Sequence, residues 1–201
     1  MTIPRQSTAL MIIDMQNSFL HPDGSMAAIG MPHEALTPAV AGCQKLVDAA
    51  RTADVPVVFT RYVYMADYRD GGLLPNELVP AMREVDALVA GSWDAEIVEE
   101  LTPHAGDVVI DKSRPSSFYG TQLEPVLTTL GIEHLVVAGV TTNICVESTV
   151  RDAGQRDYRT HVVADACAEF EASRHDHALN TMGFGFGWLT SVDEVVAAWD
   201  A

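Results

Sequence analysis

The chain has 201 residues, 48% of them hydrophobic, and a formal net charge of −16 at pH 7. That length and apolar content suit one packed domain over residues 1–201 and exclude a disordered chain. The acidic balance speaks against nucleic acid or an anionic membrane as partner, since both require a basic face, and no uncharged apolar run is long enough to suggest a membrane span.

The opening "MTIPRQSTALMIIDMQ" has only a short apolar run, interrupted by Asp14, which is not the pattern of a secretory signal. "TALMIID" (8–14) reads as a buried strand, and "LTPAVAGCQKLVDAARTAD" (36–54) as a helix opening on Thr-Pro. "VPVVFTRY" (55–62) is a second strand. Residues 63–105 break the rhythm with Gly-Gly, prolines and aromatics, and read as an insertion or lid over one end of the sheet. The alternation then resumes: strand "GDVVIDK" (106–112), helix "TQLEPVLTTLG" (121–131), strand "HLVVAGV" (134–140). It continues with helix "TNICVESTVRDAGQRD" (142–157), strand "RTHVVADA" (159–166) and helix "SRHDHALNTM" (173–182). A short strand near "GWLTS" (187–191) and a helix "VDEVVAAW" end the pattern. Nearly continuous apolar strands alternating with helices predict a parallel sheet covered on both faces, a three-layer α/β/α fold.

Cys43, Cys145 and Cys167 form a sparse, odd set without CxxC spacing. That argues against a disulfide framework or a zinc ribbon and favours a reducing cytoplasm. In open parallel sheets, ligands bind beyond the carboxyl ends of the strands. Three such ends carry Asp14, Lys112 and, just past "VVAGV", Cys145. Each has a plainer reading: a turn-forming aspartate, a solvated lysine, a small buried thiol. Together they make a nucleophile set. A thiol in the first turn of a helix capped by Thr141 or Thr142, beside Lys112, is expected to ionise readily, with Asp14 moving its proton. Cys43 and Cys167 lack such partners.

The motifs "IIDMQNSF" (12–19), "DKSRPSSFYGTQLEPVL" (111–127), "GVTTNICVESTVRDA" (139–153) and "VVADACA" (162–168) resemble those of the isochorismatase-like cysteine hydrolases over nearly the whole chain. The resemblance implies a six-stranded, mainly parallel sheet of Rossmann-type order and a catalytic triad at Asp14, Lys112 and Cys145. It implies a non-proline cis peptide at Val140–Thr141, with an oxyanion held by the N–H groups of Thr141 and Cys145. It also implies homodimers or homotetramers acting on a small amide or ureido substrate.

Within that family, a cysteine at position 145 points away from isochorismate hydrolysis and toward C–N cleavage through an acyl-cysteine. No histidine lies between His33 and His104, so the metal motif of nicotinamidases is absent and neither a metal nor another cofactor is expected. "GSWDAEIVEEL", "CVESTVRD" and "FGFGWLTSVDEV" are most similar to ureidoacrylate amidohydrolases. N-carbamoylsarcosine, biuret and maleamate amidases are the alternatives, and the stretch holding Arg61, Tyr62 and Tyr64 departs from the expected pocket. A non-catalytic binding module and a redox sensor thiol are the competing classes.

Gln16, Phe19, Arg61, Tyr62, Trp93, Phe118 and Tyr119 are candidate substrate contacts, each weighed against a packing or ion-pair role. Arg114 is as ambiguous as Arg61. His175 and His177 flank Asp176 on a predicted helix, where positions two apart face different directions, so a shared metal is not expected. "GFGFGW" (183–188) precedes a strand rather than joining strand to helix, which disfavours a phosphate loop.

Overall fold

The computed structural model describes residues 3–200. Six strands form one all-parallel sheet: β1 (Thr8–Ile13), β2 (Val57–Tyr62), β3 (Val108–Lys112), β4 (His134–Val140), β5 (Arg159–Ala168) and β6 (Trp188–Thr190). Their spatial order is β3-β2-β1-β4-β5-β6. The order reverses between β1 and β4, and such a reversal opens a crevice outside the carboxyl ends of the two strands.

Short helices α1 (Asn17–Leu20) and α2 (Ser25–Ala28) follow β1, and α3 (Pro38–Thr52) leads into β2. Helix α4 (Ala81–Glu84) lies in the irregular segment, α5 (Leu123–Thr129) follows β3 and α6 (Glu147–Gly154) follows β4. Helices α7 (Ala172–Gly185) and α8 (Val192–Asp200) flank β6. Helix α3 packs on β4, β5 and α8, while α6 packs on β5 and α7. Pro38 stands in the first turn of α3, where its missing N–H costs nothing.

Burial follows strand position. Every residue of β1 is buried, as is every residue of β4 after His134, and each fully buried Val, Leu or Ile there contributes about 1.5–3 kcal/mol. The run "GDVVIDK" instead forms an edge strand, shorter than expected, with Val109 exposed and Asp111 at the surface. Its apolar composition concealed that position.

Gly139 has φ +123°, and a Cβ there would lie 2.2 Å from the Ile13 carbonyl oxygen. Only glycine permits β4 to approach β1 so closely where the β4–β5 register shifts between Val137 and Gly139.

Residues 63–105 are stitched to the carboxyl ends of the first three strands. Val63 N–H donates to the Lys112 carbonyl (2.8 Å), Asn17 N–H to the Glu96 carbonyl (2.9 Å), and Val98 N–H to the Met15 carbonyl (3.0 Å). The Asp94 carboxylate accepts from Ser25 N–H and Leu88 N–H, both at 2.8 Å.

Candidate active site

Asp14 follows β1 with φ 50°, a left-handed conformation that aspartate tolerates better than most residues. Its N–H donates to Thr60, and the Thr60 hydroxyl donates to Asp14 Oδ1 at 2.6 Å. Lys112, at the end of β3, donates from Nζ to Asp14 Oδ2 at 2.6 Å and to the Arg114 carbonyl at 3.2 Å. Both charged side chains have no solvent exposure. An ion pair in such a place persists only with close geometry and further hydrogen bonds, which Thr60 and Arg114 supply.

Cys145 lies beyond β4, in a wide π-type turn (Thr142–Val146) that runs directly into α6. Single π turns recur where a helix is reshaped around a functional group. Val146 N–H reaches back to the Thr141 carbonyl at 3.2 Å. The Thr149 hydroxyl donates to the Cys145 carbonyl at 2.7 Å and receives the Ser117 N–H at 3.0 Å, tying the loop after β3 to the cysteine turn. The Val140–Thr141 peptide is cis.

The electrostatics differ from expectation. Burial pushes the Cys145 thiol well up; Lys112 pulls it down, while Asp14 pushes it further up. At 4% exposure, desolvation outweighs the cation, so the resting group is the thiol rather than the readily formed thiolate that proximity to Lys112 suggested. Neither threonine caps the turn as expected. No side-chain cap forms at Thr141, and Thr142 Oγ1 pairs with His175 Nδ1 at 2.9 Å. His177 Nδ1 turns to the Ser173 carbonyl, so the two histidines part as their spacing predicts. Cys43 and Cys167 are buried free thiols; burial holds both up, Cys167 at about 12.

The candidate substrate contacts divide. Tyr62 borders the Asp14–Lys112 pair: Lys112 Nζ stands 4.3 Å from its ring centroid. Gln16 is buried, but its amide is fully committed, donating to the Tyr62 and Ala95 carbonyls and accepting from Tyr62 N–H. It positions Tyr62 and is not free for a ligand. Arg61 forms a bidentate pair with Asp111, at 2.7 and 2.8 Å. Strand alternation turns that pair to the face opposite Tyr62 and Lys112. Phe19 is a core residue of α1. Trp93 is 47% exposed and meets His21 edge-on; Tyr119 is 67% exposed. Phe118 packs against Tyr158 beneath Arg156.

Sequence reasoning missed Thr60, Thr149 and Glu169. Thr60 is a hydroxyl inside the apolar run "VVFT", a detectable signal; Thr149, in the mixed stretch "VESTVRD", and Glu169 carry none. Glu169 is buried beyond β5, accepts from Phe170 N–H (2.9 Å) and Asn143 N–H (3.4 Å), and burial raises its carboxyl pKa. Among the described residues, no group of three or more His, Cys, Asp or Glu side chains is arranged to hold a metal ion.

Residues 8–194 match the isochorismatase domain model. The chain belongs to the isochorismatase family. A curated relative of this isochorismatase-family chain, ureidoacrylate amidohydrolase RutB from Serratia proteamaculans (strain 568), is 36% identical over 200 residues, which cover 94% of this chain and 81% of the relative. Among solved structures, a cysteine hydrolase from Pseudomonas syringae pv. phaseolicola 1448A gives a TM-score of 0.91 at 30% identity, covering 100% of this chain and 95% of that one. N-carbamoylsarcosine amidase from Thermoplasma acidophilum gives 0.75 at 28%, covering 93% and 97%.

Proposed function

We propose that this chain cleaves the C–N bond of a small ureido or carbamoyl compound, with ureidoacrylate the leading candidate, through an acyl-cysteine at Cys145. The chain is an enzyme of the isochorismatase family, a hydrolase of carbon–nitrogen bonds other than peptide bonds. The observation that carries the finer reading is the fully buried Asp14–Lys112 pair, close enough to Cys145 for both side chains to act on its thiol, where the sheet order reverses.

Asp14 takes the Cys145 proton as the sulfur attacks the carbonyl, so the thiolate need not exist at rest. The oxyanion is held by the N–H groups of Thr141 and Cys145, with Lys112 supplying positive charge. Asp14 returns the proton to the departing amine, and a carbamoyl group remains on sulfur. Water, deprotonated by the same carboxylate, then releases the carbamate, which decays to carbon dioxide and ammonia.

Ammonia release from ureidoacrylate, carbamoyl amino acids, biuret, maleamate and nicotinamide tests this. Ureido compounds are expected to turn over fastest, with Cys145→Ala silent on all. Equal release by wild type and Cys145→Ala would end the proposal.

A further inference from the structure

Three tyrosines stack in a row away from the triad. The Tyr62 and Tyr64 ring centroids are 5.1 Å apart, those of Tyr64 and Tyr68 5.3 Å, and all three side chains are buried. Only the far one is satisfied: the Tyr68 hydroxyl donates to the Ala87 carbonyl at 2.8 Å. The Tyr62 and Tyr64 hydroxyls, buried at 2% and 0% residue exposure, interact with each other but make no well-formed hydrogen bond to any of the described residues. An orphaned buried hydroxyl costs about 1–3 kcal/mol. Two adjacent ones, beside a lysine that already touches the first ring, point to a ligand that completes them.

Both phenols are held in place by their backbones. Gln16 grips Tyr62 through its N–H and carbonyl, and Tyr64 exchanges backbone bonds with Leu88 (2.9 Å) and Ala90 (2.8 Å). Tyr64 also lines a cavity of about 210 Å³ with Lys112, Ser113, Asp70 and Gly120. Arg114 closes on the same region, with Nη1 donating to the Asp70 and Ser113 carbonyls. Asp70 Oδ1 is occupied by Met65 N–H. Asp14 and Lys112 pair with each other, while the Arg114 guanidinium, bonded to backbone carbonyls, lies near enough to Tyr64 to favour negative charge there. Burial drives the ionisation of both phenols upward, which keeps them as donors at every working pH.

We infer that Tyr62 and Tyr64 are specificity-determining residues whose hydroxyls jointly donate to a carboxylate at the end of the substrate remote from the scissile carbonyl. This rests on the amidohydrolase reading and deepens it. The enzyme then selects anionic ureido acids over neutral ureas, because only the acid completes two buried donors whose positions are already fixed.

The test compares steady-state kinetics on ureidoacrylate and its methyl ester, in wild type, Tyr62→Phe, Tyr64→Phe and the double variant. Phenylalanine keeps each ring and removes only the unsatisfied hydroxyl, so thermal melts of the free enzyme should equal or exceed wild type. Wild type is expected to prefer the acid. Each variant should lower that acid-over-ester preference roughly tenfold through KM, with kcat on the acid changing far less. A preference that survives in the double variant overturns the inference. So does a loss confined to kcat, or a wild type that favours the ester. If wild type turns over neither compound nor any other ureido or carbamoyl amide, the amidohydrolase reading itself fails and the inference falls with it.

Discussion

Two clusters of buried titratable groups sit at opposite ends of the sheet, and they solve the cost of burial differently. At the carboxyl ends, Asp14 and Lys112 meet as a salt bridge at 2.6 Å with no solvent exposure. At the amino ends, His134 Nδ1 lies 3.2 Å from His161 Nε2, the rings stack 5.5 Å apart, and Trp188 stacks on His161. There burial, with the neighbouring imidazole, holds His161 down at about 4, so it remains neutral and packs as an aromatic plate. Burial perturbs ionisation at both ends, raising the Cys145 thiol at one and lowering His161 at the other. Only at the carboxyl end does a salt bridge stand beside a buried thiol, the condition that the proposed chemistry requires.

Removing the proposed nucleophile gives the sharpest break in this contrast. Cys145→Ala should lose roughly 10⁴-fold or more in turnover with its melting temperature nearly unchanged, read by ammonia release and calorimetry. Next is the ion pair. Lys112→Met should abolish activity and cost roughly 3–5 kcal/mol of stability, because it strands a buried carboxylate. The double variant Asp14→Ala/Lys112→Met should cost clearly less than the two single losses added, in a denaturant double-mutant cycle.

The histidine end sharpens the contrast by pH. Folded His161 binds its proton near pH 4 instead of 6.5, so the unfolded state holds more protons between those values. Stability therefore falls as pH drops through that window. His161→Gln should show a smaller melting-temperature loss between pH 7 and pH 4.5 than wild type, while turnover at pH 7 stays close to wild type. The smallest effect belongs to Arg61→Ala. Its pair with Asp111 is partly solvated, so stability should change by about 1 kcal/mol or less and KM by under about twofold.

Much of this was legible in the chain. Asp14, Lys112 and Cys145 each close an apolar run, and a parallel sheet brings such closing residues to one edge. The features that remained hidden depend on contacts between distant segments. The edge position of β3 is set by strand order, which its composition does not encode. The expected thiolate failed because the sequence displays the lysine but not the depth of burial that outweighs it. Gln16 looked available to a ligand because its two partners, Tyr62 and Ala95, lie 46 and 79 residues away. The bond of Tyr68 to Ala87, 19 residues on, likewise concealed its contrast with Tyr62 and Tyr64.

The central claim is that Cys145 carries the acyl group, and rapid quenching during turnover of ureidoacrylate followed by peptide mass mapping tests it most directly. The account predicts a carbamoyl adduct on the peptide containing Cys145, formed within the first turnover and absent in Cys145→Ala. Full turnover with no adduct on that peptide, or an adduct on Cys43 or Cys167 instead, would contradict it.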